Sequence, residues 1–412
     1  MNQQKLFHKN FIILILGQII SLFGNVILRF ALSMFVLDQT GSVAIFGTIL
    51  AISMIPTILF SSFGGILADR VNKRNIMIAL DFTTSGIILL FTLLLHASNI
   101  VVMIGIMMIL LSLIQAFYQP SVQSSIPVLV EEEHLASANG IVIQVNALAN
   151  LLGPIIGGFL YGFLGIFPIL IISGSCFFIS AVMECFLHIP FYKQETTGGI
   201  FSTIKGDFKE TFQFLVKEQM PIFKMLLVIA GLNLFLSAMI IIGLPYMIKI
   251  LLGLSNQWYG FAEAAMGIGS IIGGITAGLF IKKIGFHKSY LLLLIASITI
   301  LPLGFCIIST GAPIVSYALI LVSILITMCL TTVFSVYGQT VMQKLTPTHL
   351  LGKVSSFVTV ICMCALPIGQ AMYGGLFNVA TSKSYIVVFL TTIICVGLAF
   401  IAKHVLNKIP EV

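Results

Sequence analysis

The sequence predicts an all-α membrane protein, with twelve transmembrane helices in two six-helix pseudo-repeat bundles. Three observations carry that expectation. Of the 412 residues, 59% are apolar and 8% are Asp, Glu, Lys or Arg, whereas an ordinary soluble domain is about 25% charged. The apolar residues fall into runs near the roughly 20 residues that cross a bilayer. Landmarks of the first half recur in the second at a nearly constant offset. A chain so poor in charge cannot hide its apolar surface by folding on itself in water, so lipid is its solvent and helices satisfy its backbone. This excludes a soluble enzyme and a disordered chain.

Charges, Gly/Pro clusters and polar breaks divide the chain into spans near 11–37, 43–63, 75–95, 100–118, 137–163 and 166–188. A second set follows near 222–251, 258–281, 288–309, 313–337, 352–377 and 384–403. Between them lies the only long polar stretch, Pro190 to Pro221, with Lys193, Glu195, Lys205, Asp207, Lys209, Glu210, Lys217 and Glu218. The expected domains are a six-helix bundle over 1–189, a cytoplasmic linker over 190–221 and a second bundle over 222–412. Met1 to Asn10 carries Lys5, His8 and Lys9 and no small-residue cleavage site, so it reads as a cytoplasmic tail.

Placing both tails and the linker on one side puts 17 of the 20 Lys and Arg residues there. The positive-inside rule then makes both termini cytoplasmic in a multi-pass protein of the cell membrane. The net charge of +7 comes from dispersed loop residues, so no nucleic-acid partner is expected. All seven cysteines fall in apolar runs, where free thiols act as small hydrophobes, so neither disulfides nor a metal site are expected.

The repeat is read from paired landmarks. Gly65 and Gly278 differ by 213, as do Pro154 and Pro367, while His134-Leu135 and His349-Leu350 differ by 215. Such internal duplication is common in transporter folds and favours two bundles around a central path.

The segment Gly64-Gly65-Ile66-Leu67-Ala68-Asp69-Arg70-Val71-Asn72-Lys73-Arg74 joins spans two and three on the cytoplasmic side. Its glycines allow close backbone approach, and its acidic residue among bases suits an ion-pair network. Topology charges alone need neither the glycines nor the acid. It resembles the signature loop of the major facilitator superfamily, Gly-x-Leu-Ala-Asp-Arg-x-Gly-Arg-Lys, with Asn72 in place of a glycine. In the second half Gly278 to Gly285 keeps glycine and base but has Lys282 where Asp69 stands. The resemblance implies the fold of that family and a cytoplasmic latch of Gly65, Asp69, Arg70, Arg74 and Asp81 that forms when the inner gate closes.

Span five carries Ala149-Asn150-Leu151-Leu152-Gly153-Pro154-Ile155-Ile156-Gly157-Gly158. A proline there removes a backbone donor and the glycines remove bulk, so the helix can bend and pack tightly. It resembles the family's antiporter motif, Gly-x-x-x-Gly-Pro-x-x-Gly-Gly, with Ala149 for the first glycine. Gly153, Pro154, Gly157 and Gly158 carry that match, which implies proton-coupled export. Finer likeness lies in Gly17-Gln18-Ile19-Ile20-Ser21, Gln39-Thr40-Gly41-Ser42 and Gln119-Pro120 to Asn139. These resemble the exporter branch that holds the macrolide efflux proteins and the enterobactin exporter, whose cargoes are macrolides, other amphipathic drugs and siderophores.

Ionisable residues inside apolar runs cost several kcal/mol unless they pair or meet water. Arg29 in span one and Glu263 in span eight fall at similar outer depths, and the expectation is that they approach each other or share an aqueous pocket, with Glu263 binding the proton. The competing reading is that one of them snorkels to the outer interface. Glu184 reads as snorkelling to the cytoplasmic surface, and Asp38 as a solvated loop charge. Gln18, Ser21, Asn25 and Arg29 fall on one face of span one at intervals of 3, 4 and 4. Asn146 with Asn150, and Asn233 with Ser237, repeat the i, i+4 pattern. These residues line a cavity or hydrogen-bond between helices; the pattern serves both readings.

No phosphate loop, His-Glu-x-x-His pair or metal-spaced Cys/His cluster occurs, so neither a cofactor nor an enzyme is expected. Glu131-Glu132-Glu133 beside His134 aligns with Thr346-Pro347-Thr348 and reads as an ordinary loop. The expected partners are a small-molecule substrate, protons and the bilayer, with a monomer sufficient for the fold. The expected function is proton-coupled efflux of macrolide-like or multidrug cargo by alternating access. The alternatives are a siderophore or lipid exporter or flippase and, from another class, a membrane enzyme or receptor without transport.

Overall fold

A computed structural model of the chain describes residues 7–95, 99–190, 200–285, 287–308, 312–380 and 383–408. The helices in chain order are α1 (Lys9–Thr40), α2 (Val43–Arg70), α3 (Lys73–Leu93), α4 (Ile100–Leu129), α5 (Leu135–Leu164), α6 (Ile166–Cys185), α7 (Ile200–Gln213) and α8 (Met220–Leu232). They continue as α9 (Ala238–Pro245), α10 (Asn256–Ile284), α11 (Tyr290–Ile298), α12 (Leu301–Ile308), α13 (Pro313–Leu345), α14 (Thr348–Val379) and α15 (Ser384–Leu406). No strand occurs among the described residues. Twelve helical stretches are long and apolar enough to cross a membrane. Large apolar side chains stay exposed along them, such as Phe163, Ile275 and Val379, as expected where lipid replaces water.

Helix ends follow local chemistry. Gly41 closes α1 at φ 59°, a left-handed turn that glycine adopts without steric cost, and Gly165 at φ 75° turns α5 into α6. The Asn72 side chain caps α3 by accepting from the Arg74 backbone N–H at 3.1 Å.

The span expected near 222–251 is continuous but not uniformly α-helical. It passes from α8 through a π-helical stretch, Asn233–Ser237, into α9, and ends in a second, Tyr246–Leu251. The Asn233 amide donates to the Cys362 carbonyl oxygen of α14 at 3.4 Å, and Ser237 donates to Asn233 at 3.3 Å. A side chain that draws the backbone toward a neighbour widens the turn, and single-turn π bulges often mark working sites. The span near 288–309 is broken between α11 and α12, ahead of Pro302, which cannot supply the next backbone donor.

The chain forms two compact units: Met1–Gly41 with Ile52–Glu195 and Asn256–Phe261, and Ser42–Ala51 with Thr196–Ser255 and Ala262–Val412. Within the first, α1, α3, α4, α5 and α6 pack around Phe11, Leu14, Met77, Tyr118, Val122 and Ala149. Within the second, α14 packs on α8 and α9, and α15 on α8, α11 and α12. The stretch read as a linker holds α7, whose Phe208 lies 4.7 Å from Phe357 and whose Glu210 pairs with Lys353 at 2.7 Å. Lys5 and Lys193 lie outside the described residues.

Candidate functional site

In the first unit the polar face of α1 turns into the helix packing. Gln18, Ser21 and Asn25 are all buried, so they do not line an open cavity there. Ser21 lies 3.3 Å from the Tyr118 hydroxyl of α4, and Tyr118 donates to Glu184 of α6 at 2.9 Å. Glu184 therefore does not snorkel: its relative exposure is 1%. Tyr118 reaches it from α4 within the bundle and supplies the hydrogen bond that surface water was expected to give.

Asp81 lies on α3, which packs against α6, and is equally buried. Arg74 reaches the same end of α6, where its guanidinium donates to the backbone carbonyls of Glu184 (3.3 Å) and Cys185. These carbonyls close a helix, where a cation is favourable, and that of Glu184 also accepts from the Leu187 backbone N–H at 3.0 Å. Arg74 is thus engaged within the first unit. Arg70 is exposed, and the Asp69 side chain lies outside the described residues.

Arg29 donates from Nη2 to Ser112 of α4 at 2.8 Å and from Nε to Asn25 at 3.2 Å. Neither hydrogen bond neutralises its charge. Glu263 is half-buried in the second unit. Asn146 is half-buried and Asn150 exposed; each bonds its own helix, to Val142 at 2.8 Å and Asn146 at 2.9 Å. Asp38, expected as a solvated loop charge, is exposed yet accepts from the Tyr161 hydroxyl at 2.8 Å and the Asn256 amide at 3.4 Å.

The glycines of α5 face two directions. A Cβ at Gly153 would overlap Val26, and one at Gly157 would lie 3.1 Å from Phe30, both on α1. At Gly158 it would lie 2.9 Å from the Asn256 carbonyl oxygen, on the first turn of α10. Pro154 faces the same turn through its carbonyl, 2.8 Å from a Cβ built on Gly260. The second unit repeats this device: α14 meets Leu234 at Gly369, and at Gly374 it meets Val43 on the first turn of α2. Gly64 is pressed against the Ala116 carbonyl of α4, while Gly65 faces open space. Of the two glycines in that motif, only the first serves close approach.

The first turns of α10 and α2 are thus met in the same way by α5 and α14. Residues 14–371 match the family model described as Major Facilitator Superfamily. The chain belongs to the major facilitator superfamily. It is therefore a multi-pass membrane transporter rather than an enzyme. Macrolide efflux protein A of Streptococcus pyogenes is 24% identical over 398 residues, covering 93% of each chain. The multi-drug resistance efflux pump PmrA of Streptococcus pneumoniae is 26% identical over 262 residues, covering 59% of this chain and 58% of that one. Among solved structures, a bacterial homologue of the iron transporter ferroportin in its inward-facing state superposes with TM-score 0.72 at 18% identity, covering 96% and 100% of the two chains. The D-xylose–proton symporter does so with TM-score 0.72 at 14% identity, covering 97% of each. At such identities these structures establish the fold of this major facilitator chain.

Residue patterns had not singled out Tyr118, Ser112, Ser180, Tyr161 or Asn256. One signal was present: Ser180 and Glu184 are an i, i+4 polar pair on an otherwise apolar helix, the same spacing that marked α1.

Proposed function

We propose that this transporter is a proton-driven exporter of amphipathic small molecules of macrolide or multidrug type, working by alternating access in the cell membrane with both termini cytoplasmic. The observation that carries the reading is the likeness to macrolide efflux protein A, which runs through 93% of both chains. Asn146 and Asn150 of the first bundle and Asn233 of the second are the polar candidates for cargo contact. Inward proton movement supplies the drive, roughly 2.3 kcal/mol per charge for each 100 mV. Glu263, with Arg29 at matching depth, is the candidate proton carrier of the outer half. Asp69, Arg70 and Arg74 latch the cytoplasmic gate. The tight α5 packing at Gly153, Gly157 and Gly158 limits leak.

The test is a susceptibility panel on cells with and without the chain, repeated with an uncoupler. Expression should raise resistance to macrolides or other amphipathic drugs, and the uncoupler should abolish the gain. A chain that alters only metal-limited growth or lipid composition would be a siderophore or lipid exporter instead.

A further inference from the structure

The buried acids Asp81, expected in the cytoplasmic latch, and Glu184, bonded to Tyr118, take no part in the proposed cargo path. Each is 1% exposed, as is Gln18, and Tyr118 and Ser21 are 2% exposed. Glu184 accepts one hydrogen bond, from Tyr118 at Oε1, while its Oε2 and Asp81 Oδ2 are buried without any hydrogen-bond partner. The Gln18 amide of α1 is likewise buried and unpartnered at both ends.

Among the described residues, no hydrogen bond or ion pair joins a cation to either carboxyl. α1 presents Ser21 to Tyr118 of α4, Tyr118 reaches Glu184, and Ser180 of α6 bonds the Gly17 carbonyl of α1. Of the ionisable side chains in α5, Tyr161 is bound to Asp38 at the far end of the unit. Arg74 spends its described hydrogen bonds on the carbonyls of Glu184 and Cys185, not on a carboxylate. Two carboxylates buried on packed helices with unpartnered oxygens cannot both stay ionised without large cost, and such a pair favours holding a proton.

We propose that Asp81 and Glu184 form a proton-binding site inside the first unit that holds one exchangeable proton between the two carboxyls, with Tyr118 and Ser21 as its hydroxyl relay. On loading, a proton from water forms an O–H bond on one carboxylate and the pair changes from two negative charges to one. On release that bond breaks and the proton returns to water. The site lies one residue from the end of α6, the end at which Arg74 sits, so the positive-inside orientation puts it where an inward-moving proton leaves. Its role in coupling rests on the proposed proton-driven export; proton binding itself does not.

Infrared difference spectroscopy of the purified full chain in lipid nanodiscs, titrated with acid and base, tests this. The wild type should show a protonated-carboxyl band that disappears as the pH rises and shifts in heavy water. Glu184→Gln and Asp81→Asn should each remove or move it, and Tyr118→Phe should displace its midpoint by about tenfold in proton concentration. Glu263→Gln should leave this particular band in place. Wild-type protein with no titrating carboxyl band, or one identical in folded Asp81→Asn and Tyr118→Phe, overturns the proposal, and this holds even if Glu184→Gln fails to fold. If the band behaves as expected but proteoliposomes move no cargo in a pH gradient, the export reading fails and the proton site stands.

Discussion

At the scale of the residue, burial separates side chains that a sequence treats alike. Glu184 and Asp38 are both acids near span ends, yet the first is enclosed with a tyrosine and the second is a surface acceptor joining α1, α5 and the start of α10. Arg29 presents a third case, a cation held by the neutral groups Ser112 and Asn25. Removing one partner of a hydrogen bond to a charged group costs about 1.5–3 kcal/mol. Ser112→Ala should therefore lower the melting temperature in detergent by several degrees, with Ser316→Ala, which leaves Arg29 untouched, as the comparison. Equal melting of Ser112→Ala and wild type would remove Arg29–Ser112 from the account of stability.

At the scale of the element, glycine position decides which helices touch. Gly64 and Gly65 are adjacent in one motif, but only Gly64 has a neighbouring backbone where its side chain would be. Gly64→Ala should cost about 1–3 kcal/mol through overpacking against Ala116. Gly65→Ala should not destabilise, because the space is open and alanine favours helix more than glycine does. Thermal unfolding of the two variants side by side checks this, and a reversed order would contradict the α2–α4 contact. The motif was legible in the sequence, since small residues before a charged turn stand out. Which glycine makes the contact was not, because helical rotation of 100° per residue sends neighbours to different partners. The π stretch at Asn233 was likewise invisible: a polar residue at helical spacing announces a bond to something, and only the packed partner, the Cys362 carbonyl, fixes how the backbone accommodates it.

At the scale of the whole molecule, a boundary drawn along the chain gives each bundle six consecutive spans. The compact units instead assign Ser42–Ala51 to the second and Asn256–Phe261 to the first. Orientation is a property of the same scale. Cys185, exposed at the end of α6 that Arg74 reaches, offers a native probe of it. In a variant lacking the other six cysteines, a membrane-impermeant thiol reagent should label Cys185 in inside-out vesicles and not in intact cells. Labelling from outside the cell would invert the topology and with it the cytoplasmic placement of both tails.

The linear order of residues determined what the solvent dictates. Twelve apolar runs follow from the cost of placing charge and bare backbone in lipid, and that cost acts on each segment almost independently of the others. Packing decided the rest. The partner of Glu184, the neighbour of Gly158 and the cap on α6 depend on residues 66, 98 and 110 positions away in the chain. Contacts at that separation follow from how helices rotate and slide against one another, which no local pattern records.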